Sequence, residues 1–169
     1  MIEEISLTAR SKNNVSKSVF LGLLGTTMLL VLTANMTPKY SGIVWMVAFI
    51  FVVATIYVYN RYVGAAYRYT VSEGIAKPAL TIDQSVGKAV KTVARLDLDS
   101  ITEVRRMTGK EYRAYRCEKG VIKYPYFPTM LADEIYLVSV RSEYENYDVF
   151  IEIDEKFASA LSSYITNVL

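Results

Sequence analysis

Two stretches of the chain carry no polar period at all. Residues 18–38 and 40–60 are each 21 residues long without a charge, bounded by Lys17, Lys39 and Arg61. At about 1.5 Å per helical residue each covers roughly 30 Å, the thickness of a bilayer's hydrocarbon core. Neither has the polar face that an amphipathic soluble helix keeps. The pattern predicts a membrane hairpin over 18–62, with helices over about 18–36 and 41–60. The first run is longer than a signal-peptide core and lacks a small-residue cleavage site after it. Arg10, Lys12 and Lys17 precede the pair, Arg61 and Arg68 follow it, and the connecting loop holds Lys39. Basic flanks stay in the cytosol, so both termini are expected there, in a two-pass protein of the cell membrane. Tyr40 and Trp45 suit the outer interface, and Tyr57, Tyr59 and Tyr62 the inner one. Gly22 and Gly25 are small enough for close helix approach, although their spacing is not that of a dimer motif.

Beyond residue 65 the period changes to two. Residues 67–71, 79–82, 89–98, 101–107, 111–117, 135–140 and 147–153 alternate or run in β-branched and aromatic residues. Turn residues separate them at 72–74, 86–88, 108–110 and 141–146. Residues 118–134 are irregular, with Gly120, Pro125 and Pro128. The end is helical: Asp154 is a capping residue, and Phe157, Leu161, Tyr164, Ile165 and Val168 fall on one stripe. The expectation is a β-rich barrel or sandwich of about seven antiparallel strands, closed by a C-terminal α-helix, over 65–169. Residues 1–17 are read as a cytosolic segment outside it.

Strand after strand closed by one terminal helix is the pleckstrin-homology (PH) arrangement. Two apolar helices, then Tyr67-Arg68-Tyr69-Thr70-Val71, then Asp97-Leu98-Asp99-Ser100-Ile101-Thr102-Glu103-Val104, and an ending at Phe150-Ile151-Glu152-Ile153-Asp154 followed by the helix complete the pattern. That order resembles small bacterial membrane proteins with a PH-like domain. The resemblance implies a membrane-anchored, non-enzymatic domain and transfers no binding residue, since the fold hosts lipid, peptide and structural roles.

Composition narrows the chemistry. There are 169 residues, 52% hydrophobic, with no His and a single Cys. Without His there is no imidazole acid–base catalysis, His metal site or Ser-His-Asp triad. Ser85-Val86-Gly87-Lys88 has serine–lysine spacing, but in a turn between strands rather than at a helix start. Cys117 has no His anywhere in the chain to activate it. Asp97 and Asp99 lie two apart and could share a strand face, the one carboxylate pair that an enzyme reading could use. No catalytic, metal or cofactor site is therefore expected.

Charge is distributed unevenly. Residues 65–123 hold 12 Lys and Arg against 7 Asp and Glu; residues 124–169 hold 2 against 8. The basic excess concentrates in Arg105, Arg106, Lys110, Arg113, Arg116, Lys119 and Lys123, with Tyr112, Tyr115, Tyr124 and Tyr126 interleaved. Read as one hairpin of the fourth and fifth strands, these form a candidate surface for anionic lipid headgroups or a partner. Nucleic acid is not an expected ligand, because the whole chain carries only +2. The expected function is a binding or scaffold module at the inner leaflet, recognising anionic headgroups, a protein partner or another copy of itself. The alternatives are an accessory subunit of a membrane transporter or envelope-assembly complex, and a carboxylate-dependent membrane enzyme.

Overall fold

The computed structural model describes residues 5–11, 14–73, 77–141 and 146–168. The chain opens with a strand, β1 (Ile5–Arg10), and then enters α1 (Val15–Met36). One 3-10 turn, Pro38–Tyr40, leads into α2 (Ser41–Val58), which ends in a π turn over Tyr59–Val63. Both helices are long and apolar enough to cross a membrane, and only 11% and 17% of their most apolar windows are buried. A core helix would be mostly buried; these present Leu29, Phe49 and Ile50 outward. The residues buried along the two helices are Ser16, Ala34, Ala48, Thr55 and Val58, none of them large. Gly22 and Gly25 have open space where a side chain would stand, so they do not make the helix contact.

Strands β2 (Ala65–Glu73), β3 (Pro78–Val86) and β4 (Ala89–Asp97) follow, and β1 pairs antiparallel with β2. The order of this first sheet is β1-β2-β3-β4. Residues 5–10 are therefore sheet, not a free segment: Leu7 faces Tyr69, and Arg10 faces Ala66. Alternate residues Tyr67, Tyr69 and Val71 of β2 point inward, as a period of two requires. No linker separates hairpin from sheet, because Gly64 alone lies between the π turn and β2.

A turn at Leu98–Ser100 leads to β5 (Ile101–Thr108), α3 (Gly109–Arg116), β6 (Ile122–Tyr126), β7 (Glu134–Arg141) and β8 (Asn146–Ile151). The second sheet has the order β5-β7-β8-β6, with β6 parallel to β8. The β-rich class closed by a terminal helix is borne out: two four-stranded sheets are followed by α4 (Glu155–Val168). Asp154 Oδ1 caps α4 by accepting from Phe157 N at 2.7 Å, and Phe157, Leu161 and Ile165 are buried against both sheets. Among the described residues the stretch from 65 on holds seven strands, β2–β8, as expected, and β1 joins them from before the hairpin; one pair is parallel, and 122–126 is a strand in a stretch that reads as irregular. Of the expected turns, residues 74 and 142–145 lie outside the described residues; Ser72 and Glu73 belong to β2.

One expected strand is a helix. Residues 111–117 fall within and just after α3, because Thr108 Oγ1 accepts from Glu111 N while Glu111 Oε2 accepts from Thr108 N. This reciprocal capping box satisfies the orphan donors of a first helical turn. Tyr112 and Tyr115, three residues apart, would point to opposite faces of a strand but share one face of a helix. Tyr112 packs edge-on to Phe127 and Phe150, covering the outer face of the second sheet. With the first sheet on its inner face, that sheet is dry on both sides, which explains the unbroken burial of 135–140. Gly109 is required: a Cβ there would lie 2.3 Å from Ala132 O, and Gly109 N donates to Asp133 O at 2.8 Å. Tyr115 OH donates to Asp148 Oδ2 at 2.6 Å, and Arg141 Nη1 holds Oδ1 of the same buried carboxylate at 3.2 Å.

Three outcomes follow. Thr8→Cys with Arg68→Cys, in a Cys117→Ser background, should oxidise to an intrachain disulfide, because facing residues of an antiparallel pair have Cα atoms about 4.5–5.5 Å apart. Intact-mass measurement that finds both thiols free after oxidation would contradict β1. Gly109→Ala should lower unfolding stability in detergent by roughly 1–3 kcal/mol, since backbone is what the new methyl meets. The hydrogen bond to Asp148 pushes the Tyr115 hydroxyl up to about 12. Below the ordinary tyrosine range both states keep that proton and the bond contributes fully. Above about 10 the unfolded chain releases it first, so stability falls towards pH 12. Tyr115→Phe should cost about 1.5–3 kcal/mol at neutral pH, with the difference from wild type shrinking across that alkaline window in denaturant titrations.

Candidate functional site

The end of α2 is where the two sheets meet the hairpin. In the π turn the chain gains a residue per turn, and Gly64 N closes it by donating to Tyr59 O at 2.8 Å. Arg61 is aimed back into the domain. One terminal nitrogen donates to Tyr67 OH on β2 and the other to Pro125 O on β6. Its guanidinium also sits over the Tyr62 and Tyr67 rings, each 5.5 Å from the centroid. A single cation thus ties the hairpin to both sheets. A second tie lies deeper: Tyr69 OH donates to Tyr126 O at 2.6 Å and accepts from Glu152 N at 3.3 Å. Burial raises the Tyr67 hydroxyl above the usual tyrosine range, against the opposing pull of Arg61, and raises Tyr69 further still. Both phenols are therefore hydrogen-bond donors and acceptors at neutral pH, not bases.

Around Arg61 opens a cavity of about 220 Å³. Its walls are Tyr57 and Tyr62 from the end of the hairpin, Arg113 and Arg116 from α3, and the turn before β7 including Leu131. Among the described residues no carboxylate lines it, and no ion pair involves Arg61, Arg113 or Arg116. Three guanidiniums without a counter-charge favour an anion, and their planar forks suit carboxylate or phosphate oxygens. A second cavity of about 370 Å³ lies where α1 begins, lined by Arg10, Lys17, Ser85 and Gly87, again with no carboxylate among the described residues. Ser85 Oγ donates there to Ala66 O at 3.3 Å, within β3, so the serine–lysine spacing forms no helical turn.

The seven basic residues singled out from sequence do not form one hairpin face. Arg113 and Arg116 line the cavity beside Arg61. Arg105 and Arg106 lie on β5 in ion pairs with Glu103 and Glu134. Lys123 is turned inward, donating to Tyr115 O and Glu118 O at 2.6 Å each. Lys110 is exposed in the first turn of α3, and Lys119 is exposed beyond its end. The residue that sequence reasoning missed is Arg61, which reads there only as a topology signal. Nothing in the sequence links it to α3, although Thr108-x-x-Glu111 announces that helix. Asp97 and Asp99 lie at the far end of the first sheet, where Asp99 is paired with Lys77. Cys117 is exposed, its thiol directed at Arg113 O at 3.5 Å.

Neither a curated protein nor a solved structure matches the chain. A family does, described as Bacterial PH-like domain (DUF6106), over residues 6–169. That span takes in β1, the hairpin and both sheets, so the hairpin is part of the family's unit and not an appendage to it. The chain belongs to this bacterial PH-like domain family.

Proposed function

We propose that this chain is a two-pass, non-enzymatic binding module of the cell membrane, with both termini in the cytosol, that holds an anionic headgroup of the inner leaflet. The observation that carries the reading is the carboxylate-free cavity of Arg61, Arg113 and Arg116 where α2 ends. Tyr57 and Tyr62 share its wall, and tyrosines at a helix end favour the headgroup level. An exposed Lys or Arg near an anionic leaflet gains roughly 1 kcal/mol. Here one of the three cations is held in place by two hydrogen bonds, so part of the ordering cost is met before the ligand arrives. The non-enzymatic reading is supported by the surroundings of the candidate acids: Asp99 is engaged by Lys77, and neither Asp97 nor Asp99 lines the cavity.

The test uses the full chain in mild detergent. Native mass spectrometry with added phosphatidylglycerol and phosphatidylcholine should show retention of the anionic lipid over the zwitterionic one. Arg113→Glu with Arg116→Glu should lower that retention on the order of 10-fold or more, while Arg105→Glu should change it little. Equal retention by the wild type and the double variant would remove the cavity from the function.

A further inference from the structure

We propose that the domain stands on the inner leaflet through two apolar feet, Leu131 and Val90, one on each side of the hairpin; this rests on the membrane reading above. Strand register fixes the geometry on one side. Ala65, where the chain leaves the hairpin, faces Val86, and Arg10, just before it enters, faces Ala66. The β3–β4 turn therefore lies at the end of the sheet from which both helices emerge, and Gly87 of that turn shares a cavity with Arg10 and Lys17. Val90 sits just past the turn, 69% exposed, between exposed Lys88 and Lys91.

On the other side, Leu131 is at the tip of the turn before β7 and is 59% exposed. It lines the arginine cavity together with Tyr57 and Tyr62, which places it level with the end of α2. Its φ of 55° is left-handed, a conformation that costs a branched side chain and suits Gly or Asn. A water-facing turn gains nothing by holding a leucine there.

Single exposed apolar residues are ordinary. These two share a position, the hairpin end of the domain, and each has basic residues beside it: Lys88 and Lys91 by Val90, Arg113 and Arg116 across the cavity from Leu131. Acidic Asp133 follows Leu131 by two residues, and Glu134 is engaged by Arg106. At the opposite end of β4 stand Asp97 and Asp99. An apolar tip among cations is the chemistry of an anionic leaflet, where the tip enters the headgroup–acyl boundary and the cations stay among phosphates.

The experiment is nitroxide labelling of the full chain in phosphatidylcholine–phosphatidylglycerol nanodiscs, in a Cys117→Ser background. Labels go on Leu131→Cys and Val90→Cys, with Phe49→Cys in the middle of α2 as the lipid reference and Asp97→Cys as the water reference. Collision with oxygen relative to a water-soluble nickel chelate should be several-fold higher at positions 131 and 90 than at 97, and lower than at 49. If either position matches 97 while 49 reads lipid, the footing is wrong and the membrane anchor stands. If 49 itself reads water, the membrane reading fails and this inference with it.

Discussion

Everything in this molecule hangs on a strand pair that straddles the hairpin. β1 lies before α1 and β2 after α2, yet they are hydrogen-bonded neighbours along the whole of β1. Adjacent strands lie about 5 Å apart, so Arg10 and Ala66, on either side of the hairpin, are held that close at one end of the sheet. Within the membrane reading, the pair requires an even number of crossings, whichever side the domain occupies. After α2, Gly64 alone lies between the π turn and β2, so no linker separates the hairpin from that strand.

A non-local strand pair of this kind normally carries a loop-closure cost, because the intervening chain must bring its ends together. Here the intervening chain is itself a hairpin. Once α1 and α2 pack along Ala34 and Ala48, their free ends are already close, and β1 needs only to lie down beside β2. Arg61 then fastens the joint by reaching both sheets at once. A charge is used at this point because the residues it reaches, a phenol and a backbone carbonyl, are acceptors that a partly dry junction would otherwise leave unsatisfied.

The same joint creates the cavity. Its wall needs the end of α2, the helix α3 and the turn before β7 in contact, and each is held by a separate device: the π turn, the Thr108–Glu111 capping box with Tyr112 and Tyr115, and Gly109 against Ala132. Two arginines then stand beside a third that is already engaged, with no acid to neutralise them. Within the proposed function, the cavity reads chemistry at the membrane boundary because the hairpin supplies one of its walls.

Much of this was legible in the chain. The apolar runs, the period-two strands, the cap at Asp154 and the stripe on α4 are local patterns, and local patterns are set by covalent spacing and burial. Three things were not. The pairing of β1 with β2 depends on strands separated by the whole hairpin, and a six-residue segment has too little pattern to announce it. Residues 111–117 read as a strand bounded by turn residues, yet Tyr112 and Tyr115 are three apart, a helical spacing, and the packing of Tyr112 on Phe127 and Phe150, with the cap at Thr108, fixes the helix. The gathering of Arg61 with Arg113 and Arg116 follows from those two decisions. Local periodicity determined which segments are helix, strand and candidate membrane span; tertiary packing alone decided which charges became neighbours, because that depends on contacts between residues far apart along the chain.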